Sequence, residues 1–393
     1  MTHKPTLTTA PAWRTGGRVS DERAENRTED TPIAVFVVAR YLPPHVGGVE
    51  RQMELLAGEL RGRRAVVECW TTTGNAEMPE GVVVHRRPPW CQPMPLYLVW
   101  LALSLAAARL RLRRIPVVMV SARTSAESAA VTLVSAALRA PTIVFVTGGD
   151  ERGSEFATQR RGWVRRLLLH HTSAFVAHAD LFVDELRRLG FEGRTEVIRT
   201  ITPSSTPTLC PWEDARSPNG SSRLVWCGRD DPVKNLGALE RLCGGALWEK
   251  GVHDVLLVCD REPSVSIAGA TVHTGCRSPR SHFRPGDVLV LTSLYEGQSN
   301  ALAEAALEGV PVVAYGTGGT PEIVSALDGG EVLPLESSDD AFAQAVARVA
   351  RRFDPEARAR LRARAQTMFS EEAGSAWISL IRQVATGVKS CAA

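Results

Sequence analysis

The sequence predicts an α/β fold with two doubly wound, Rossmann-like domains and a cleft between them. Short apolar runs rich in β-branched residues alternate with segments of helical periodicity, a pattern typical of parallel sheets with crossover helices. A stretch rich in proline, serine and threonine, residues 203–222, separates two such series. The length of 393 residues is also too great for one hydrophobic core and suits two domains.

The first series begins with IAVFVVARY, residues 33–41, which is expected to form a strand covered on both faces. A glycine turn, LPPHVGG, follows, and then VERQMELLAGEL, whose apolar residues recur at helical spacing. Further strands are predicted at AVVECWTTT, PVVMVS and TIVFVTGG. This order of strand, turn and helix indicates a first parallel sheet.

The second series restarts after the linker. Strands are predicted at RLVWCG, DVLLVCD, ATVHTG, DVLVLTS and VPVVAYG, and a last helix is predicted to begin at Ser370, a good capping residue followed by two glutamates. The predicted organisation is a disordered tail at 1–31, a first domain at 32–203, a second domain at 222–369 and a C-terminal helix at 370–388.

Composition argues against several classes of function. The net charge of +3, from 46 basic and 43 acidic side chains, lacks the footprint of a nucleic-acid-binding protein. The eight cysteines show no metal-ligand spacing and suit a reducing compartment. The first thirty residues lack the apolar region of a signal peptide, and the longest apolar run, PLYLVWLALSLAAA, is shorter than the roughly 20 residues of a spanning helix. We therefore expect a soluble, cytoplasmic protein without membrane contact.

The segment LYEGQSNALAEAALEGVPVVAYGTGGTPEIV, residues 294–324, carries the most chemical information. Glu296 follows a predicted strand, so it lies at the carboxyl edge of the sheet, where open α/β sheets bind ligands. A helix is expected to start near Ser299 or Asn300, and its free N–H groups suit a phosphate. Glu304 falls on the helix face opposite Leu302, where a lone glutamate is usually solvated.

Two further segments belong to the same predicted edge. GRDDPVKN, residues 228–235, follows the first strand of the second series and offers Arg229 and Lys234 to a diphosphate. The glycines of GTGGTPEIV, residues 316–324, permit close approach of the backbone. Three turns suited to phosphate or sugar on one edge favour a ligand site.

These segments resemble a known family. The two glutamates of 294–324 are similar to the E-x7-E signature of retaining glycosyltransferases of family 4, which have the two-domain GT-B fold. GRDDPVKN resembles the G-R-x-x-x-x-K-N segment of that family, and YLPPHVGGVERQ resembles its N-terminal P-P-x-x-G-G-x-E turn. The order and spacing match over residues 33–388.

The resemblance implies a role for each matching residue. Glu304 would accept hydrogen bonds from the ribose of a nucleotide sugar, and Glu296 would hold hydroxyls of the donor sugar. Arg229 and Lys234 would neutralise the departing diphosphate, which makes them catalytic together with Glu296. The remaining donor-binding positions are Gly47 and Gly48, which close over the diphosphate, and Gly297, Gln298, Ser299, Asn300 and Ala301. The last helix would cross back onto the first domain.

The resemblance also implies the reaction. We expect transfer of a hexose or amino-hexose from a nucleotide diphosphate sugar, with UDP as the commonest nucleotide of the family, and with retention of the anomeric configuration. The chain contains no D-x-D motif, so side-chain cations are expected to stabilise the leaving group without a metal. No cofactor is expected, since the nucleotide sugar is a substrate.

The segment after the strand TIVFV departs from the family pattern. Where relatives have a histidine after the strand TIVFV, this chain has TGGDERG, residues 147–153. Asp150 and Glu151, with Glu155 nearby and Asp230 and Asp231 on the opposite edge, would suit a cationic acceptor. We therefore predict a small polar acceptor such as an aminocyclitol or amino sugar, as in the glycosyltransferases of aminoglycoside-antibiotic biosynthesis.

Three alternatives remain open at this point. A nucleotide-sugar epimerase would need no acceptor. A peripheral membrane transferase acting on a lipid-linked acceptor could use the basic segments RLRLRR, residues 109–114, and RRGWVRRLLLHH, residues 160–171. A scaffold that only binds a sugar nucleotide is disfavoured because the charged residues of the motifs are all present.

Overall fold

The computed structural model describes residues 32–387 apart from 46, 124–125, 147–161, 203–221, 251, 253, 268 and 277. The predicted tail at 1–31 and nearly all of the predicted linker lie outside the described residues. The two domain boundaries therefore stay predictions.

The first half of the described chain builds a parallel sheet of seven strands in the order β3-β2-β1-β4-β5-β6-β7. Central strands are buried at every residue, which explains why they consist almost entirely of apolar side chains. The strands are β1 Ala34–Val38, β2 Val66–Thr71, β3 Val83–Arg86, β4 Val117–Ser121, β5 Thr142–Val146, β6 Ala174–Ala177 and β7 Arg194–Val197.

Helices cover both faces of this first sheet. They are α1 Gly48–Gly62, α2 Met94–Arg111, α3 Ala126–Leu138, α4 Gly162–His171 and α5 Asp180–Arg188. The first of them buries Met53, Leu56 and Leu60 against β1 and β2, as the helical spacing of apolar residues predicts.

The second half builds a parallel sheet of six strands, among the residues described, in the order β10-β9-β8-β11-β12-β13. Its strands are β8 Leu224–Gly228, β9 Val255–Cys259, β10 Ala270–Thr274, β11 Val288–Leu291, β12 Val312–Tyr315 and β13 Gly330–Leu333. Its helices and those after it are α6 Leu236–Gly244, α7 Ala246–Glu249, α8 Asn300–Leu307, α9 Thr320–Leu327, α10 Asp339–Arg352, α11 Pro355–Gln366 and α12 Ala373–Thr386. The predicted architecture of two parallel-sheet α/β domains is confirmed.

Strand order reverses in the middle of each sheet. In the first sheet β1 pairs with both β2 and β4, with Val35 opposite Val67 on one side and Val118 on the other. In the second sheet β8 pairs with β9 and β11 in the same way. Such reversals leave a crevice at the carboxyl ends of the strands, which is where this fold class binds ligands.

Every strand predicted from the sequence is present, but β3, β6, β7 and β13 were not predicted. Each has only four residues, and β3, β7 and β13 lie at sheet edges, where they are partly exposed. Partly exposed edge strands carry polar residues and so lack the continuous apolar run of a buried strand.

The predicted start of the last helix at Ser370 is wrong. The preceding helix α11, which Asp354 caps by accepting from the N–H of Ala357 at 2.8 Å, continues through a π-helical segment, Thr367–Glu372, into α12. Ser370 lies inside that segment and donates to the carbonyl of Thr202 at 2.7 Å. Helix α12 then packs Trp377 against the core of the first sheet, next to Phe145.

The helix that contains the apolar run PLYLVWLALSLAAA is longer than the run itself. Helix α2 spans 18 residues and, among the described residues, is the single helix whose length and composition would allow it to cross a membrane. The helix thus exceeds its apolar run by including Arg109 and Arg111 at its end. Its buried face packs Tyr97, Leu101 and Leu105 on the first sheet.

Candidate active site

Lys234 stands on a short turn that follows the first strand of the second sheet. The turn, Pro232–Lys234, is capped by Asp231, whose carboxylate accepts from the N–H of Val233 at 3.0 Å. Thr292, just after β11, donates its hydroxyl to the carbonyl of Lys234 at 2.9 Å. These bonds fix the turn to the neighbouring strand and hold Lys234 at the carboxyl edge of the sheet.

Glu296 lies directly opposite this lysine. The distance from Lys234 Nζ to Glu296 Oε1 is 2.5 Å, and Ser293 donates its hydroxyl to the same oxygen at 2.7 Å. The carboxylate is buried, so it has lost most of its contact with water and depends on these two partners. The pair therefore places one cation and one anion next to each other at the carboxyl edge of the second sheet.

The glycine turn after β12 presses against the backbone of Glu296. Gly319 donates its N–H to the carbonyls of Glu296 and Gly297 at 3.1 and 3.2 Å. Gly318 has a φ of +54°, and a Cβ atom on it would lie 1.6 Å from the carbonyl oxygen of Glu296. Only glycine fits here, as the predicted close approach of this turn requires.

Helix α8 begins where the sequence predicts. Ser299 is its N-cap, and its hydroxyl accepts from the N–H of Leu302 at 3.4 Å. The first residues of the helix line the same space as Glu296, so the positive end of its dipole points there. Gln298 adds a buried amide nitrogen, Nε2, that has no hydrogen-bond partner among the described residues.

Glu304 is buried rather than solvated. Ser278 donates its hydroxyl to Glu304 Oε2 at 2.9 Å, and the rest of the carboxylate faces the space that Glu296 also lines. Burial raises the pKa of this carboxyl to about 7, against the opposing effects of the Ser278 hydrogen bond and of Arg51 and Arg280. A carboxyl with this pKa changes its charge near neutral pH.

Side chains of the second half reach across to the first. Asn300 donates from Nδ2 to the carbonyl of Gly48 at 3.3 Å and accepts from the Thr200 hydroxyl at 2.8 Å. The Thr200 N–H donates to Gln298 Oε1 at 3.1 Å. The loop before α8 is therefore tied to the N-terminus of α1 and to the segment after β7.

A cavity of about 450 Å³ collects these residues between the two sheets. Every predicted site residue that the structure describes lines it: Gly47, Gly48, Arg229, Lys234, Glu296, Gly297, Gln298, Ser299, Asn300, Ala301 and Glu304. The structure brings them together in one place, and their individual roles stay predictions.

The predicted acceptor carboxylates fall into two groups. Asp150 and Glu151, together with Glu155, lie outside the described residues. Asp230 accepts the N–H of Ser264 at 2.7 Å, and Asp231 caps the turn before Lys234. Asp231 also lines the cavity while Asp230 does not, and a role for either carboxylate toward the acceptor stays a prediction.

His178, which the sequence did not single out, lines the cavity from the first sheet. It follows β6, its Nδ1 lies 2.8 Å from the carbonyl oxygen of Ile198, and its ring packs edge-on against Phe145. A carbonyl accepts only, so Nδ1 carries the proton and Nε2 is left as an acceptor. Burial lowers the pKa of the ring to about 4, which keeps it neutral at physiological pH.

Charged residues of α1 also line the first-sheet side and were not predicted. Arg51 Nη1 lies 2.7 Å from Glu54 Oε2, and Arg123 Nη2 lies 3.8 Å from Glu50 Oε1. Glu50, Arg51 and Glu54 lie in the first two turns of the helix that follows the predicted glycine turn. Their position next to that turn is the sequence signal that could have identified them. No cluster of possible metal ligands occurs among the residues described.

Two parallel-sheet α/β domains that face a common cleft define a class of architecture, the GT-B fold. Residues 46–201 match the family model described as Glycosyltransferase Family 4, and residues 221–352 match the model described as Glycosyl transferases group 1. No curated protein sequence matches the chain. The chain therefore carries the two domains of a glycosyltransferase, as the motifs predicted.

Several solved structures share this fold. Sucrose-phosphate synthase from Thermosynechococcus elongatus is 19% identical with a TM-score of 0.72, and the match covers 90% of this chain and 100% of that one. Anabaena HepE, solved with UDP, is 16% identical with a TM-score of 0.63 over 88% of this chain and 98% of that chain. The pneumococcal O-GlcNAc transferase GtfA, solved with UDP and GlcNAc, is 11% identical with a TM-score of 0.64 over 90% and 99%. At these identities the likeness establishes the fold alone.

Proposed function

We propose that this protein is a retaining hexosyltransferase of the cytoplasm that moves a hexose or amino-hexose from a UDP-sugar to a small polar acceptor. The observation that carries the proposal is the contact between Lys234 and Glu296 at the N-terminus of α8, inside the cavity that Glu304 also lines. One cation, one helix dipole and two buried carboxylates match the needs of a diphosphate, a ribose and a sugar.

The donor fits this arrangement part by part. Lys234 and Arg229 face the diphosphate from the end of β8, and the N–H groups at the start of α8 meet the phosphate next to the sugar. Glu304 accepts from the ribose hydroxyls, and Glu296 accepts from hydroxyls of the sugar. UDP is supported by the HepE structures, which were solved with UDP, UDP-glucose, and UDP with glucose.

Transfer with retention needs no protein nucleophile in this geometry. The bond between the anomeric carbon and the phosphate oxygen breaks, and the acceptor hydroxyl forms its bond on the same face. Its proton passes to the departing diphosphate oxygen. Lys234 and Arg229 stabilise the charge that grows on the diphosphate, which is the largest contribution a preorganised site can make.

We propose that the reaction does not need a metal ion, because Arg229 and Lys234 supply positive charge where the diphosphate leaves. Turnover in EDTA should equal turnover in buffer without chelator. If EDTA stops the reaction and Mn²⁺ or Mg²⁺ restores it, the proposal is wrong.

His178 is proposed to hold a hydroxyl of the donor sugar or of the acceptor through Nε2, since Nδ1–H is committed to Ile198. It would then perform part of the role that the resemblance assigns to the missing family histidine. His178→Phe keeps an aromatic ring beside Phe145 but removes the acceptor nitrogen. The variant should raise KM for one substrate, and an unchanged KM for both would refute the contact.

For the acceptor we propose an amine-bearing molecule such as an aminocyclitol or amino sugar of antibiotic biosynthesis. Within the described chain, Glu50 and Glu54 place carboxylates on the first-sheet wall of the cavity, and Asp150 remains the candidate in the segment after β5. An acceptor panel should favour 2-deoxystreptamine-type amines over neutral sugars. Equal use of both would refute an amine-specific acceptor site.

The experiment that tests the donor assignment is a thermal-shift panel of UDP-, ADP- and GDP-sugars followed by turnover assays with the same donors. A ligand at a hundred times its dissociation constant should stabilise the protein by about 2.7 kcal/mol. Stabilisation by UDP-sugars, lost in Glu304→Ala, is expected. Stabilisation by none of the panel would contradict the proposed function.

A further inference from the structure

Helix α2 exposes an apolar stripe along its whole length. Leu96, Val99, Leu103, Ala107 and Leu110 follow one another at intervals of three and four residues, so they lie on one face of the helix, and all of them are exposed. Leu103 and Leu110 keep 66% and 64% of their surface in contact with solvent. The helix is thus apolar on its outer face as well as on the face that packs on the sheet.

The stripe continues on its neighbours. Helix α3 packs between α2 and α4 and exposes Leu133, while α4 exposes Trp163 near its start. Trp90, in the turn just before α2, is also mostly exposed. We call the outer surface of these three helices with Trp90 the apolar face. Large exposed apolar surfaces of this kind mark sites of interaction.

Among the described residues, the exposed charged side chains of the apolar face are arginines. Between residues 81 and 149 the sequence contains a single acidic residue, Glu127, which is buried and pairs with Arg40 at 2.9 Å. Exposed arginines lie on or next to the same three helices: Arg113 and Arg114 after α2, Arg139 after α3 and Arg166 on α4. Helix α4 contains no acidic residue either.

We propose that the apolar face docks this protein on an anionic lipid surface. Apolar side chains flanked by tryptophan and arginine are the composition of helices that lie in the plane of a membrane interface. Arginine stems can lie along the apolar region while their charged ends reach lipid phosphates. A second copy of the chain is a poorer occupant, because pairing two such faces would bring like charges together.

The helix lies on the membrane rather than across it. Its inner face is part of the core formed with Phe36, Trp70 and Met119, so a spanning orientation would expose that core. Arg40 follows the carboxyl end of β1, and its Nη2 lies 3.8 Å from the Sδ of Met94 at the start of α2. The apolar face therefore begins at the edge of the sheet that borders the cavity.

Co-sedimentation with vesicles of phosphatidylcholine, with and without phosphatidylglycerol, tests the proposal. The wild type should pellet with the anionic vesicles and stay in solution with the neutral ones. Val99→Glu/Leu103→Glu should weaken binding by at least about tenfold, since it removes the apolar contact and adds negative charge. Arg113→Glu/Arg114→Glu should do the same without touching any packed residue.

The matched control is Trp248→Glu, which places a glutamate on an exposed apolar residue of the second half. It should bind vesicles as the wild type does, and all variants should keep turnover with a soluble acceptor. Wild-type protein that stays in solution with anionic vesicles would overturn the proposal. So would either double variant that still pellets, or a concentration-dependent dimer in light scattering that Val99→Glu/Leu103→Glu abolishes. None of the vesicle-binding and light-scattering outcomes depends on the proposed transfer reaction.

Discussion

Lys234 and Glu296 are 62 residues apart in the chain, yet the lysine Nζ lies 2.5 Å from the glutamate Oε1 at the cavity wall. The buried carboxylate holds the ammonium in place before any diphosphate arrives. Because a preorganised cation needs no rearrangement when charge develops, Lys234 in the proposed donor site would stabilise the leaving group effectively. Removing Lys234 leaves the buried Glu296 carboxylate without its counter-charge, and removing Glu296 leaves a partly buried lysine without its partner.

Lys234→Ala is therefore expected to lower kcat by roughly a hundredfold, which corresponds to about 3 kcal/mol of barrier. Glu296→Gln should lower it to a similar extent. Steady-state kinetics with circular dichroism on the same samples make the measurement. The control is Lys250→Ala, which removes a lysine paired with Asp340 at 3.0 Å on the surface. Wild-type turnover in Lys234→Ala would remove the basis for the donor site.

Glu304 predicts a pH dependence of donor binding. Its pKa, raised to about 7 by burial, means that the carboxyl is largely protonated at pH 6 and ionised at pH 8. A ribose donates to the ionised form, so affinity for UDP-glucose should rise about tenfold over this range. Calorimetric titrations at several pH values measure it, and the diphosphate diester itself does not titrate there.

Glu304→Gln provides the control for that titration, since the amide has no charge to lose. Its affinity should be lower and should not vary over the same pH range. If the variant keeps the wild-type profile, another group is responsible. An invariant wild-type affinity would mean that ribose does not bind the ionised carboxylate.

Gly318→Ala should damage the site through the backbone. The new methyl group would overlap the carbonyl of Glu296, so the loop that carries Glu296 must move. Gly387→Ala is a matched control, because Gly387 also has a positive φ, +69°, but no atom within 4 Å of the added Cβ. The control should lose only about 1 kcal/mol of stability from backbone strain.

Thermal unfolding and turnover of both alanine variants separate the two effects. Gly318→Ala should lose more stability than Gly387→Ala and should also lose donor binding. Equal loss of stability in both variants, with donor binding intact, would show that the Gly318 turn does not support Glu296.

The free energy of unfolding should decrease at acid pH because of the lowered pKa of His178. Its folded-state pKa, lowered to about 4, lies below the ordinary value of 6.5, so the unfolded chain binds the proton first as the pH falls. The stability present above pH 6.5 should therefore decrease by about 2 kcal/mol between pH 7 and pH 5 through this residue alone. Urea unfolding of wild type and His178→Gln at both pH values gives the difference. A variant that loses as much stability as the wild type would contradict the assignment.

The sequence predicted those features that depend on local pattern. Central strands such as β1 and β4 are buried on both faces and so leave continuous apolar runs, and Ser299 sits next to the helix that it caps. The spacing of Glu296 and Glu304 is also local. These features need no knowledge of distant parts of the chain.

Features that depend on tertiary contacts were not predictable. Glu304 accepts a hydrogen bond from the hydroxyl of Ser278, which is 26 residues earlier in the chain. Asn300 accepts one from the hydroxyl of Thr200, which is 100 residues earlier. His178 looks like any histidine after a strand until the fold places it in the cavity wall. The apolar run of α2 did not reveal the end of the helix, because the helix continues through Arg109 and Arg111.

The central claim is retaining transfer from a UDP-sugar in this cavity, and proton NMR of the product tests it most directly. UDP-α-glucose and 2-deoxystreptamine, or whichever acceptor the panel favours, are incubated with the protein. We expect one UDP released for each new glycoside and an α linkage, read from the coupling of the anomeric proton. A β-linked product, or an epimerised donor with no glycoside formed, would contradict it.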